Sequence, residues 1–175
     1  MLFARTGLFL TGGPMYRSML GNVRENSKAP MFAALDVRGD MFDTRTYLGR
    51  NNLVLLFYRG YWCATCREEL LDLKDEYGNI SKQDSEVAAI SVDSVDETRN
   101  MAVELQLPYK VISDPDHRII DMYDVYDSEN ETAFITLFII DKAGVVCYKR
   151  SIAGLEDVLP AAEVVNKLKN IDTAF

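Results

Sequence analysis

Leu53-Val54-Leu55-Leu56-Phe57-Tyr58-Arg59-Gly60-Tyr61-Trp62-Cys63-Ala64-Thr65-Cys66-Arg67 contains a strand, a loop and the start of a helix. Its first six residues form an unbroken apolar run, the mark of a central strand buried on both faces. A Cys-x-x-Cys pair follows. Leu70, Leu73 and Tyr77 then continue from Cys66 at helical spacing, which puts all four on one buried face. The pattern predicts a helix from about Cys63 to Tyr77, with Gly78 at its C′ position. A strand that delivers two sulfurs to a helix N-terminus builds a redox site. Exposed amides and the helix dipole favour thiolate there, and the thiolate is the nucleophile.

Downstream, Glu86 to Val92 reads as the next strand, and Ser94 with Glu97 is a capping box opening a helix that closes before Pro108. Tyr109 to Ile112 is a short strand, and Ser113-Asp114-Pro115-Asp116 turns into a helix around Arg118 to Tyr123. Phe134 to Ile140 is apolar and β-branched, and Asp141-Lys142-Ala143-Gly144 turns it into Val145 to Lys149. A last amphipathic helix runs from about Val158 to Leu168, with Pro160 tolerated in its first turn. Upstream, Phe32 to Val37, Arg38-Gly39-Asp40 and Met41-Phe42 read as a β-hairpin, and Asp43 to Leu48 as one helical turn closed by Gly49. Residues 1 to 27 are Gly-rich and aperiodic, an N-terminal extension ahead of one domain over residues 28 to 175. Strands alternating with helices imply an α/β domain with a largely parallel sheet covered on both faces. The closing hairpin adds antiparallel strands.

The 175 residues are enough for one core, and 48 % apolar with 26 % charged is ordinary globular composition. A formal net charge of -8 disfavours nucleic acid and anionic membrane surfaces, which want clustered Lys and Arg. No apolar run approaches the ~20 residues of a membrane span. The apolar patch in Met1 to Leu10 is shorter than a signal peptide requires, so a cytoplasmic protein is expected. Three cysteines make no disulfide scaffold; one close pair suits an intracellular redox role.

Several ordered segments resemble the thioredoxin-like superfamily, in particular the peroxiredoxin branch related to bacterioferritin comigratory protein and alkyl hydroperoxide reductase. They are Ala29-Pro30-x-Phe32, Ile90-Ser91-Val92-Asp93-Ser94, Leu107-Pro108-Tyr109 with Ser113-Asp114-Pro115, and Phe138-Ile139-Ile140-Asp141-Lys142-x-Gly144-Val145. The resemblance covers residues 28 to 170. It implies a thioredoxin-like fold, with a central mixed β-sheet flanked by helices and an N-terminal β-hairpin. Aligned on Phe57-Tyr58, the family's peroxidatic cysteine falls on Cys66, its threonine on Cys63 and its proline on Arg59. The family's catalytic arginine falls on Ile135, where a thioredoxin would carry a cis-proline.

This resemblance implies a thiol peroxidase. Cys66 attacks the peroxide and Cys63 resolves the sulfenic acid as an intramolecular disulfide, which a thioredoxin-type partner reduces. Arg59 and Arg67 are the candidates for positive charge beside the sulfurs, and Thr65 for a hydrogen bond. No cofactor is implied, and a monomer or homodimer is expected. The Trp62-Cys63-x-x-Cys66 pattern keeps a second reading open, a thiol-disulfide oxidoreductase with Cys63 as nucleophile. Zinc would need ligands beyond this pair, and only Cys147 and His117 remain, far off in sequence. Cys147 reads as a packed strand residue and His117 as a solvated turn residue. Asp114, Asp116, Asp121, Asp124 and Asp127 read as a solvated acidic face.

Overall fold

The computed structural model describes residues 22–152 and 160–172. Its elements in chain order are β1 (Ala33–Leu35), β2 (Met41–Asp43), a 3-10 turn (Thr44–Tyr47), β3 (Asn52–Phe57), α1 (Ala64–Ser81), β4 (Ser85–Ser91), α2 (Val95–Glu104), β5 (Lys110–Ser113), α3 (Arg118–Met122), β6 (Tyr126–Asp127), β7 (Thr132–Ala133), β8 (Thr136–Ile140), β9 (Val146–Ser151) and α4 (Ala161–Asp172). Five strands form the main sheet in the order β5-β4-β3-β8-β9. The run that reads as a central strand is β3, every residue of which is buried. It pairs in parallel with β4 and antiparallel with β8, so the sheet is mixed. The thioredoxin-like architecture expected from the resemblance is the one observed.

Alternation along β3 divides the core in two. Val54, Leu56 and Tyr58 face one side, with α1, α2 and α4 packed over them. Leu53, Leu55 and Phe57 face the other, where Phe32, Phe42, Tyr123 and Phe138 form an aromatic cluster under the β1-β2 hairpin and α3. The Ser94 capping box is present in both directions.

Two readings shift and a third falls outside the described residues. The helix after the cysteines passes through Gly78 and ends at Ser81. Glycine there costs about 1 kcal/mol, but the extra turn carries Ile80 into full burial, which offsets that cost. A small ladder, Tyr126 to Ala133 and Asp127 to Thr132, fills the stretch before β8. Two residues per strand are too short for a period-2 signal. The expected start of the last helix at Val158 lies outside the described residues, and Pro160 immediately precedes α4. Residues 22–28 hold the edge of β9: the Asn26 amide donates to the Val146 carbonyl, the Val146 amide to Ser27, and Lys149 Nζ to the Val23 carbonyl.

Candidate functional site

Parallel β3 ends where α1 begins, so the connecting loop Tyr58 to Trp62 must turn back over the sheet's C-terminal edge. Cys63 is the N-cap of α1 in extended geometry, and its sulfur accepts the Cys66 amide at 3.3 Å. A sulfur thus takes the capping role that Ser or Asp usually plays, satisfying one orphan amide of the first turn. Cys66 stands one turn on, its Sγ 2.6 Å from Cys63 Sγ. Both cysteines are free.

The environment separates the two sulfurs further. Cys63 keeps 7 % exposure, while Cys66 has none. Burial pushes the Cys66 thiol up to about 12, reinforced by its bond to Cys63, while the backbone amides of Arg59 and Gly60 pull the other way. Of the pair, Cys63 is thus the more exposed sulfur and Cys66 the more deeply buried.

Both expected cations have partners in the loop and on α2. Arg59 lays its guanidinium over the Trp62 ring, 5.0 Å from the centroid. Arg67 donates to the Tyr61 carbonyl at 3.3 Å and pairs with Glu104 at 2.5 Å. Thr65 is half-buried and donates to neither sulfur. Ile135 is 8 % exposed and belongs to the same core cluster as Cys63 and Cys66. The Ile135 carbonyl accepts the Ile152 amide at 2.9 Å, and no described peptide bond is cis.

Residues that spacing did not single out complete the site. Asp93, just past β4, is buried, and its Oδ2 accepts the Tyr61 amide at 2.8 Å and the Ser91 hydroxyl at 2.7 Å. Burial raises its carboxyl above the usual range, opposed by the bonds from Ser91 and Tyr61. Gly60 lies in the middle. A β-carbon there would stand 2.5 Å from Trp62 Nε1 and 3.0 Å from Asp93 Oδ1, so a side chain would have to displace the exposed indole. The available signal was alternation: Val87 and Ala89 face the sulfurs, so Ser91 does too.

Cys147 is partly buried on β9, with burial and Asp141 pushing its thiol up to about 11. His117 contacts Asp121 at 2.6 Å and stacks on Tyr126. Asp114 caps α3 through the amides of Ile119 and Ile120, so it is a buried structural member of the acidic stretch. No three His, Cys, Asp or Glu side chains among the described residues are grouped to hold a metal ion.

The model of the AhpC/TSA family matches residues 26–149. The chain belongs to that family. This AhpC/TSA chain is 31 % identical over 137 residues to a chloroplastic 2-cysteine peroxiredoxin of Chattonella marina var. antiqua, covering 71 % of this chain and 69 % of that one. It is 27 % identical over 154 residues to the thiol-disulfide oxidoreductase ResA of Bacillus subtilis, covering 83 % and 82 %. In three dimensions it resembles peroxidoxin BcpB from Mycobacterium tuberculosis with a TM-score of 0.76 at 19 % identity, over 86 % of this chain and 99 % of that one. That likeness bears on the fold. No helix among the described residues is long and apolar enough to cross a membrane.

Proposed function

We propose that this AhpC/TSA chain is a thiol peroxidase that works through Cys63 and Cys66. The observation that carries the reading is the sulfur pair at the N-cap of α1 in a chain of this family. Cys63 Sγ attacks the terminal peroxide oxygen; the S–O bond forms, the O–O bond breaks, and water or an alcohol leaves. Cys66 then attacks Cys63 Sγ, the S–S bond forms, and the sulfenic oxygen departs as water. With the sulfurs 2.6 Å apart, closure needs no backbone rearrangement. A thioredoxin-type dithiol returns the pair to the reduced state, and a cytoplasmic setting that supplies such a reductant belongs to the same proposal.

The substrate is hydrogen peroxide or an organic hydroperoxide. Peroxide consumption coupled to thioredoxin tests the reading: it persists with the wild type and vanishes with Cys63→Ser. In Cys66→Ser, a sulfenic acid on Cys63 still forms and is trapped by dimedone. Loss of trapping in Cys66→Ser with retention in Cys63→Ser restores Cys66 as the attacking sulfur.

The match to ResA favours a second reading, disulfide exchange beginning on Cys63. Reduction of insulin disulfides without any peroxide consumption selects it.

A further inference from the structure

β9 is an outermost strand of the main sheet, and such a strand presents a row of amides and carbonyls that another strand can pair with. On β9 that row meets residues 22–28 of the same chain. The Asn26 amide donates to the Val146 carbonyl at 2.8 Å, and the Val146 amide to the Ser27 carbonyl at 2.9 Å. Lys28 bridges Val145 in the antiparallel sense. Asn26 then turns the segment off the strand path with a left-handed backbone, φ 66°, and side chains take over. Glu25 Oε1 accepts the Lys149 amide at 3.1 Å. Lys149 Nζ donates to the Val23 carbonyl at 2.9 Å while lying 5.4 Å from the centroid of the Phe138 ring. One turn further out, the Asn22 amide donates to Asp124 Oδ2 at 2.9 Å.

The opposite edge of the sheet is closed in another way. The Val37 amide donates to the Val111 carbonyl of β5 at 2.9 Å, and the Arg38 guanidinium to the carbonyls of Leu107 and Tyr109. That cover is the β1-β2 turn, held between two paired strands, with Val37 buried in the core. Segment 22–28 buries Val23 alone, and Asn22, Arg24, Glu25, Asn26 and Lys28 are exposed. A cover with one apolar anchor and exposed hydrogen bonds opens at a lower free energy than the strands it covers.

The strand beneath is fit to pair. Val145-Val146-Cys147-Tyr148 is an uncharged run of β-branched and aromatic residues with one cysteine. The bridge at Lys28 shows that this edge takes its partner antiparallel. A second β9 brought across a two-fold axis runs in that sense.

We propose that residues 22–28 are a guard that keeps β9 from pairing with β9 of a second copy, and that Lys149 pins the guard in place. Lys149 holds it at two points, through its main-chain amide to Glu25 and through its side chain to Val23. Neither Cys63 nor Cys66 takes part, so the guard stands or falls apart from the redox chemistry.

Amide hydrogen exchange and sedimentation velocity on the full chain test this. In the wild type, the Val146 and Lys149 amides are expected to be equally protected at every protein concentration. Lys149→Met keeps the stem near Phe138 and removes the donor to Val23; Glu25→Ala removes the acceptor for the Lys149 amide. In the double variant, both amides are expected to exchange on the order of 10²-fold faster in dilute solution, while the Leu55 amide on β3 keeps its rate. As concentration rises, their protection returns and the sedimenting mass doubles. Wild-type exchange at both amides in the double variant overturns the role of Lys149. Amides that stay fast at every concentration, or regain protection without a doubling of mass, overturn the guard. So does wild-type protection at Val146 and Lys149 that grows with concentration, because the edge is then already open to a second copy. If the double variant does not fold, Lys149→Met alone is read by the same outcomes.

Discussion

The two faces of the central sheet are built from the same strands and differ in what they bury. Beneath the β1-β2 hairpin, Phe57, Tyr123 and Phe138 meet at ring separations of 5.0 to 5.8 Å, and the one polar tip among them, the Tyr123 hydroxyl, donates to the Pro30 carbonyl at 2.9 Å. Beneath α1, the neighbouring positions hold Tyr58, Cys63, Cys66 and Ser91, with a carboxylate at the rim. Satisfied apolar packing stabilises. Buried polar and titratable groups cost stability and gather at functional sites. One face anchors the fold and the other holds the sulfur pair.

Cys63→Ser gives the largest effect if that division holds: peroxide turnover falls by on the order of 10³-fold or more, since nothing else on that face caps the helix with a nucleophile. Phe138→Ala strikes the opposite face. It is expected to lower the unfolding free energy by about 3–5 kcal/mol in urea, while disulfide closure per folded molecule stays near the wild-type rate. A matching collapse of closure would erase the distinction between the faces.

Alkaline pH draws on the two thiols that burial pushes up, Cys66 to about 12 and Cys147 to about 11. The folded chain holds the Cys66 proton up to about 12, whereas an unfolded cysteine loses it near ~8.5. The associated stability is whole below ~8.5 and drains as pH rises toward 12, by roughly 2 kcal/mol at pH 10. Urea midpoints at pH 7 and 10 should fall further in the wild type than in Cys66→Ala, which keeps the Cys147 contribution.

Arg67→Ala gives the smallest effect. Its ion pair with Glu104 is largely exposed, worth under ~1 kcal/mol, and peroxide turnover should stay near wild type. A strong loss of turnover would put Arg67 back beside the sulfurs.

Local pattern sufficed for much of this. The run at Leu53 to Phe57, the spacing of Cys66, Leu70 and Leu73, and the Ser94-Glu97 box each depend on neighbours within one element, where periodicity and capping speak directly. The end of α1 was not legible, because Ile80's burial is a long-range contact that overrides the glycine before it. The surroundings of the sulfur pair were not legible for the same reason. Alignment places Cys66 at the family's nucleophile position, but which sulfur is capped, which is buried and where Arg59 and Arg67 point depend on elements distant in sequence.

By itself, then, the sequence determined that two sulfurs stand one helical turn apart at the end of a buried strand, because that is a matter of spacing. Only the tertiary structure decided that Cys63 caps the helix and that Cys66 is fully buried. It also placed Tyr58, Ser91 and Asp93 in one corner. Burial and proximity are set by β3 and β4 lying side by side, and over thirty residues of chain separate Tyr58 from Ser91.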